Sequence, residues 1–432
     1  MIVRDKTGKY TTFFMLTTIS QYLLGWFLIS AIDNVLGGNF PIIQTLGYIL
    51  INLATLQTVI CVIVWCIRHR LNKGIRYAFT HARLIHGIRW ALLNAGTGYG
   101  IEEYAGEERV ITLPKIRLEL SDNLGSGVLR IRDHIKYHTK LDSAKLSSAL
   151  GRYRIEQQYT SDDENWSIFE LEDTSVDRQL RFSDVDGFAS FMKSYGGNVL
   201  VMDKKNHVPL ASMLLVGATG SGKTYALYSL ILQMLFWHVR PELFFADPKS
   251  TSLYVLGRNI CPENSAESID GIIELLEAFH AKMMARKAEL QDKLEDRLDT
   301  DYRSWNMNAH VFVFDEFSSF QSVVATLDKK ERDKVSMLLR NIVLQGRQLG
   351  FFLWFIMQKS DSNDIPTAIR DNLIWKVVLG QAATTTYITA FEQAADLPRL
   401  KFEVGHGLYT YQGYTRQPQV TSFPTLEFDI LN

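Results

Sequence analysis

A glycine-rich loop between an apolar strand and an apolar helix most constrains the fold of this chain. The loop runs from Gly217 to Thr224 and reads GATGSGKT. Met213 to Val216 (MLLV) precedes it as a predicted buried strand, and Tyr225 to Trp237 (YALYSLILQMLFW) follows it as a predicted helix. This order binds nucleotide phosphates, because backbone N–H groups of the loop and of the helix N-terminus point toward them. The alternative interpretation is a flexible glycine turn.

The spacing of the loop predicts a nucleoside triphosphate, ATP, with Mg²⁺. Lys223 is expected to reach the β- and γ-phosphate oxygens, and the Thr224 hydroxyl is expected to ligate Mg²⁺. The predicted nucleotide contacts comprise the whole loop: Gly217, Ala218, Thr219, Gly220, Ser221, Gly222, Lys223 and Thr224.

Length, charge and cysteine content set broad limits. A chain of 432 residues allows two or three domains. Its net charge of −1 neither supports nor excludes DNA, so any contact with a phosphate backbone must come from locally placed Lys and Arg. The three cysteines offer neither a disulfide framework nor a paired metal motif, which predicts a reducing compartment for the folded bulk.

Two uncharged apolar stretches lie near the N-terminus. Thr11 to Ile32 would span roughly 33 Å as a helix, and Ile42 to Ile67 is the second candidate. The loop between them carries Asp33 as its only charge, whereas basic residues flank the pair on both outer sides: Arg4, Lys6, Lys9, Arg68, Arg70, Lys73 and Arg76. This asymmetry predicts two transmembrane helices with both termini cytoplasmic. A cleaved signal peptide is the alternative for the first stretch.

The chain therefore divides into three predicted segments. Residues 1–75 hold the cytoplasmic N-terminus and the two spans, 76–193 a stalk helix and a small α+β module, and 194–432 a motor domain. Arg68 to Asn94 is basic and aromatic, which is typical of an interfacial stalk or of a solvated linker helix. Arg109 to Leu171 has a strand-like pattern without a catalytic constellation, and we assign it to assembly or partner contact.

Two strand ends supply candidate polar groups for the same site. Val311 to Glu316 (VFVFDE) is a buried strand pattern that ends in two carboxylates. Asp315 is expected to hold Mg²⁺ and Glu316 to orient and polarise the attacking water; the alternative is a surface acidic pair. Leu243 to Ser250 (LFFADPKS) ends in charged residues, which suits ligand contact at the carboxyl end of a strand.

A second group of residues is expected to sense and complete hydrolysis. Phe351 to Gln358 is another buried strand pattern, and the Gln358 amide at its end is expected to sense the γ-phosphate or the water. Arg347 precedes that strand and is a candidate arginine finger supplied to a neighbouring subunit. Structural pairing is the alternative for Arg347, and Arg370, in IRDN, is the competing finger candidate.

With these residues in view, about 194–428 resembles the FtsK/SpoIIIE-type DNA-translocating ATPases, and most of all the membrane coupling proteins of Gram-positive integrative conjugative elements. The shared motifs are GATGSGKT, ADPKS, VFVFDE, GRQLGFFLWFIMQ and IRDNLIWKVVLG. The resemblance implies a RecA-like α/β P-loop motor with a parallel sheet, a homohexamer around DNA, and delivery of DNA with its relaxase to a type IV secretion channel. By the same matching, Arg347 corresponds to the arginine finger and Gln358 to the sensor glutamine.

Some features depart from the family pattern or leave alternatives. Lys359 and Ser360 follow Gln358 where relatives often have Arg and Pro. Because the sequence ends soon after the predicted motor, we expect no DNA-reading winged-helix domain, and this expectation favours conjugative transfer over chromosome segregation. Protein export by an FtsK-like ATPase is a further alternative. A scaffold that binds nucleotide without hydrolysis is the alternative from another class, and the intact carboxylate pair counts against it.

Overall fold

The structure, a computed structural model, describes residues 2–36, 41–94, 99–104, 108–133, 146–195, 197–296, 300–359, 365–392 and 401–430. The chain forms two compact units, Met1–Asp177 and Arg178–Asn432. The predicted domain bounds, 1–75, 76–193 and 194–432, stay a prediction.

The first unit contains three long helices: α1 (Lys6–Leu36), α2 (Pro41–Arg68) and α3 (Ile75–Asn94). Within them, Thr11–Ser30 and Pro41–Arg68 are two candidate membrane-spanning segments by length and composition. A Cβ added to Gly25 would lie 2.9 Å from the Gly47 carbonyl oxygen, and one added to Gly47 would lie 2.9 Å from the Gly25 carbonyl oxygen. The absence of side chains at both positions lets the two apolar helices approach closely, as small residues do between helices in membranes.

The rest of the first unit is a small β-rich module against which α3 packs. Its described strands are β1 (Ile2–Asp5), β2 (Tyr99–Tyr104), β3 (Glu108–Thr112), β4 (Ile116–Leu120), β5 (Ser126–Arg132), β6 (Tyr153–Thr160) and β7 (Trp166–Asp173). The last four strands form an antiparallel sheet in the order β4-β5-β7-β6. Leu84 and Ile88 of α3 are buried in the same core as Leu129 and Phe169 of this sheet. The small α+β module predicted here is therefore built on one face of α3.

The second unit is a mostly parallel sheet covered by helices. Its described strands are β8 (Arg181–Phe182), β9 (Val199–Val201), β10 (His207–Pro209), β11 (Met213–Gly217), β12 (Glu242–Ala246), β13 (Ser265–Ala266), β14 (His310–Phe314), β15 (Phe351–Met357), β16 (Trp375–Leu379), β17 (His406–Tyr411), β18 (Gln419–Ser422) and β19 (Thr425–Leu426). Among the described residues, eight strands form the main sheet in the order β13-β12-β14-β15-β11-β16-β17-β18. The pairings from β13 to β16 are parallel, whereas β17 and β18 are antiparallel.

Helices lie on both faces of this sheet, and this explains why its strands are continuously apolar. The described helices of the unit are α4 (Val185–Lys193), α5 (Lys223–Leu235), α6 (Ser252–Ile260), α7 (Ile269–Asp296), α8 (Phe317–Val324), α9 (Lys329–Leu349), α10 (Thr367–Arg370) and α11 (Thr384–Phe391). Alternate strand residues point to opposite faces. Phe244 packs with α7, α8 and α9 in one core, whereas Phe245 packs with α5 and α6 in the other. The α/β fold with a parallel sheet is confirmed.

Candidate nucleotide-binding site

The glycine-rich loop lies where the sequence places it, between the end of β11 and the start of α5. Gly222 has a φ of +95°, and a Cβ there would lie 2.5 Å from the Gly405 nitrogen. The Gly405 N–H donates to the Ser221 carbonyl oxygen at 2.9 Å. A Cβ at Gly217 would collide with the Ser221 Oγ. At Gly222 the loop therefore closes against the turn before β17, whereas the missing side chain at Gly217 lets the loop pack on its own Ser221 side chain.

Lys223 folds back over the loop. Its Nζ donates to the Gly217 carbonyl oxygen at 2.5 Å and to the Ala218 carbonyl oxygen at 3.3 Å. Burial lowers the pKa of Lys223, and the nearby Glu316 and Asp315 carboxylates oppose that shift. The ammonium group is thus partly desolvated at the point where the loop faces the two carboxylates.

Asp315 directly follows β14 and is crowded by other acidic groups. Its Oδ1 accepts from the Glu316 N–H at 3.1 Å, and its Oδ2 lies 3.4 Å from the Thr251 Oγ1. Burial, followed by the neighbouring Asp247 and Glu316 carboxylates, raises the pKa of Asp315 to about 6. A cation bound here would relieve this electrostatic cost, because it would stabilise the carboxylate form.

Asp247, after β12, organises the segment that faces Asp315. Its side chain is fully buried and accepts from the Lys249 N–H at 3.0 Å and the Thr251 N–H at 2.7 Å. It also accepts from the Thr251 Oγ1 at 2.7 Å. The sequence located this charged strand end, but gave no signal that Thr251 links the Asp247 and Asp315 carboxylates.

Glu316 and Gln358 are in direct contact. The Gln358 Nε2 donates to the Glu316 Oε1 at 2.5 Å, and the Lys249 Nζ lies 3.3 Å from the Glu316 Oε2. This contact arises because β15 lies between β11 and β14, so the residue after β15 reaches the residues after β14. Glu316 has a φ of +49°, a left-handed conformation at the N-cap of α8.

The predicted residues converge on one cavity of about 420 Å³. Six of the eight loop positions line it, whereas Gly217 and Ser221 are buried and do not. Asp315, Glu316 and Gln358 line it as well. The cavity has further walls that the sequence analysis did not single out for this site: Tyr225, Leu227, Tyr228, Thr251, Ser252, Leu253, Ile356 and Val404.

The two candidate arginine fingers lie outside this cavity. Arg347 is exposed near the end of α9, before β15, so it is at the opposite end of that strand from Gln358. It lines a surface depression together with Lys287, Asp301 and Arg303. The Arg370 side chain is only 12% exposed, and its Nε lies 3.9 Å from the Asp371 Oδ1.

The residues at the cavity fit ATP with Mg²⁺. Gly220 and Gly222 line the cavity and have no side chains, so backbone N–H groups of the loop can face phosphate oxygens there. The Lys223 ammonium suits phosphate oxygens, and the Thr224 hydroxyl and the Asp315 carboxylate are the hard oxygen ligands that Mg²⁺ prefers.

Residues 171–344 match the model of the FtsK/SpoIIIE family. The chain carries a P-loop ATPase domain of the FtsK/SpoIIIE family. It is 28% identical over 198 residues to Ftsk domain-containing protein YdcQ of Bacillus subtilis (strain 168). That alignment covers 46% of this chain and 40% of YdcQ, so it spans less than half of that relative. The predicted family and the P-loop ATPase class are confirmed.

Three solved structures are similar to the chain at lower sequence identity than YdcQ. The pCW3 conjugation coupling protein TcpA, with ATPgS, has a TM-score of 0.47 and 15% identity, covering 80% of this chain and 95% of TcpA. The cytoplasmic domain of the Thermomonospora curvata type VII secretion ATPase EccC has a TM-score of 0.41 and 17% identity, and the match covers 53% of this chain and 28% of the EccC chain. The DNA-packaging ATPase B204 of Sulfolobus turreted icosahedral virus has a TM-score of 0.33 and 13% identity, and the match covers 49% of this chain and 97% of the B204 chain.

We predict that Gly222→Ala lowers nucleotide affinity at least tenfold, because the new Cβ meets the Gly405 backbone and the loop must move. Gly413→Ala is the matched control, since Gly413 has a φ of +90° with no atom within 4 Å of an added Cβ. Both substitutions place an alanine at a positive φ, which should lower the free energy of unfolding of each variant by about 1 kcal/mol. Binding of a fluorescent ATP analogue should separate them, and equal affinities would contradict the prediction.

We predict that Asp315→Asn stabilises the nucleotide-free protein at high pH. The raised pKa of about 6 means that ionisation of Asp315 costs more in the folded chain than in the unfolded chain. The stabilisation should be small below about pH 4, grow as the pH rises from about 4 to about 6, and level off near about 3 kcal/mol above about pH 7.

Urea unfolding in detergent at a series of pH values measures this difference. Asp162→Asn, which removes one carboxylate from an exposed turn, is the control. A destabilised Asp315→Asn variant at pH 8 would refute the assignment of a costly buried charge.

Proposed function

We propose that this protein is a membrane-anchored ATPase that couples ATP hydrolysis to DNA translocation, and that it delivers conjugative DNA with its relaxase to a type IV secretion channel. The observation that supports hydrolysis is the convergence of Lys223, Asp315, Glu316 and Gln358 on one cavity. The FtsK/SpoIIIE family match supports the motor class. The conjugative role rests on the motif resemblance, with which the pair of candidate spans agrees.

Each polar group at the cavity has a proposed role in this reaction. The loop from Gly217 to Thr224 binds the phosphates, and Lys223 leaves its two carbonyl partners to contact the β- and γ-phosphate oxygens. Thr224 and Asp315 hold Mg²⁺, which supplies positive charge beside the phosphates. Ionised Asp315 is the form that binds a cation, so cation binding should weaken as the pH falls below about 6.

Glu316 is the proposed base that orients the attacking water and accepts its proton. The Gln358 amide donates to one carboxylate oxygen and the Lys249 ammonium pairs with the other, so both oxygens have partners. Gln358 is therefore a positioning residue for Glu316 and a proposed sensor of the γ-phosphate. Its contact with Glu316 is the physical link by which hydrolysis could change the segment after β15.

Arg347 is the proposed arginine finger, and it acts in a neighbouring subunit of a homohexamer. Its exposed position at the other end of β15 keeps it from its own cavity but makes it available to a neighbour. Arg370 is the weaker candidate because its side chain is mostly buried.

The proposed membrane arrangement places both termini in the cytoplasm. Basic residues flank the candidate spans on their outer sides. Residues 1–75 then form the anchor, 76–193 the stalk and the module that contacts partner proteins, and 194–432 the motor that contacts DNA.

We predict that Lys223→Ala abolishes ATP binding, whereas Glu316→Gln binds ATP with Mg²⁺ but turns it over at least a hundredfold more slowly. The Gln side chain keeps an oxygen that accepts from Gln358, so the local packing is retained. Steady-state phosphate release and equilibrium ATP binding measure the two effects. Lys193→Ala, on an exposed face of α4, is the control, and normal turnover by Glu316→Gln would contradict the proposal.

The substrate is tested with the same purified protein and with donor cells. Double-stranded DNA should stimulate turnover, and donors carrying Lys223→Ala should fail to transfer a marked element while their chromosomes segregate normally. Stimulation by a secreted peptide instead of DNA would assign the motor to protein export. A segregation defect with normal transfer would assign it to chromosome partition.

We predict that mixing inactive Arg347→Ala and Lys223→Ala subunits restores part of the ATPase activity. An interface between an intact loop from one subunit and an intact Arg347 from the other forms only in mixed assemblies. The parallel mixture of Lys223→Ala with Arg370→Ala is the comparison. If Arg347→Ala alone is active, and ATPase activity recovers only in the mixture of Lys223→Ala with Arg370→Ala, then Arg370 is the arginine finger.

A further inference from the structure

A basic cavity of about 650 Å³ lies directly after the second apolar helix, within the first unit. The end of α2, one face of α3 and the strand β4 form its walls. Five basic side chains line it together with a single carboxylate, that of Glu119, among the described residues: Arg68, Arg70, Arg89, Lys115 and Arg117. We refer to this cavity as the basic pocket.

The charges of the basic pocket are only partly neutralised. Glu119 is shared between Arg70, at 3.2 Å from its Oε1, and Arg130, at 3.8 Å from its Oε2. Arg117 lies over the Trp166 ring, 4.8 Å from its centroid. In the described part of the chain, Arg68 and Lys115 have no carboxylate within ion-pair distance. The pocket therefore carries an excess of positive charge that suits an anion.

His81, in the wall of the basic pocket, is neutral and makes two hydrogen-bond contacts. His81 is buried, its Nε2 lies 3.1 Å from the Leu118 carbonyl oxygen, and its Nδ1 lies 3.0 Å from the His69 Nδ1. Burial lowers the pKa of both histidines. Neutral His81 then donates through Nε2 and accepts through Nδ1, which fixes the ring between α2 and β4.

An apolar groove of about 580 Å³ adjoins the basic pocket and shares Arg68, Ile85, Arg89 and Leu113 with it. We call it the aromatic groove because two tryptophans line it. Its remaining walls include Thr11, Trp65, His86, Trp90 and Leu93, from the three helices of the first unit. Anionic and apolar groups of one ligand could thus be bound side by side.

The exposed residues of α3 indicate what surrounds the aromatic groove. Phe79 is 62% exposed and Trp90 64% exposed, on the same side of the helix as the exposed Ile75. The Trp65 ring packs 5.3 Å from the Phe79 ring, so this exposed stripe begins at the end of α2. Aromatic residues at the end of an apolar span are typical of the boundary between hydrocarbon and headgroups.

We propose that the basic pocket and the aromatic groove together bind one anionic glycerophospholipid, with its phosphate in the pocket and an acyl chain in the groove. The proposal rests on the membrane anchoring proposed above. Arg68 follows the last apolar residue of α2, which puts the pocket at the depth of the phosphates. Guanidinium groups bind phosphate through paired donors, and the groove supplies apolar walls for the chain.

The groove favours a lipid over the other phosphate-bearing ligands. Free inorganic phosphate would fill part of the basic pocket and leave the groove without a ligand. A nucleic acid backbone carries a phosphate at every nucleotide, and beyond Arg68 and Arg89 the apolar side chains of the groove would leave such phosphates without compensating charge. A lipid is the one of these ligands that has both required parts.

The full chain in nanodiscs tests the proposal. Discs of phosphatidylcholine receive a small share of phosphatidylglycerol whose acyl chains are brominated, and tryptophan quenching is recorded as that share rises. Brominated phosphatidylcholine in the same share is the comparison. Trp65→Phe with Trp90→Phe identifies the quenched rings, since the chain has eight tryptophans.

Arg68→Gln combined with Lys115→Gln should weaken the preferential binding of phosphatidylglycerol roughly twenty-five-fold, because each basic residue at an anionic surface contributes about fivefold. Arg76→Gln combined with Arg83→Gln removes the same charge from exposed positions of α3 outside both cavities and should leave the preference intact. The charge-conserving double variant Arg68→Lys with Lys115→Arg should show the same preference for phosphatidylglycerol as the unchanged protein.

Four outcomes would overturn the proposal. They are equal quenching by the two brominated lipids, an equal loss in the Arg76 and Arg83 control, displacement of the lipid by millimolar inorganic phosphate, and displacement by a short DNA duplex. Alkaline carbonate extraction of cell membranes tests the anchoring separately. Extraction into the soluble fraction would refute the proposed anchoring, whereas retention without phosphatidylglycerol preference would refute the lipid site alone.

Discussion

The parallel alignment of β11, β15 and β14 is the constraint on which the nucleotide site depends. Because parallel strands end at the same edge, the glycine-rich loop, Gln358 and the Asp315–Glu316 pair are delivered together although long stretches of sequence separate them. The hydrogen bond from Gln358 to Glu316, at 2.5 Å, is the direct result. Placing β15 between the other two strands makes this amide the neighbour of both the phosphate loop and the proposed base.

The same arrangement concentrates negative charge where it is costly. Asp247 is fully buried and satisfied by backbone N–H groups and Thr251, whereas Asp315 has weaker partners and a pKa raised to about 6. Such a carboxylate lowers the stability of the nucleotide-free chain and gains most when a cation binds. Strongly shifted pKa values of this kind are common at functional sites.

Sequence reasoning predicted the local parts of this site and missed the contacts between distant parts. The order of strand, loop and helix around Gly217 to Thr224 follows from apolar runs and glycines that are close in sequence. The link through Thr251 between Asp247 and Asp315 has no such local signal, since it requires β12 and β14 to be neighbours. The sequence likewise does not predict that Gly222 packs against Gly405, because the two residues are far apart along the chain and meet only after folding.

The sequence by itself determined the glycine-rich loop between strand and helix, the two apolar helices and the polar ends of the buried strands, because each depends on residue type and short-range spacing. Only the tertiary structure decided that Gln358 contacts Glu316, that Arg347 lies away from its own cavity, and that Arg68, Arg89 and Lys115 surround one pocket. The physical reason is that strand order and helix packing are set by the burial of apolar faces across the whole unit. No local pattern encodes which strands become neighbours.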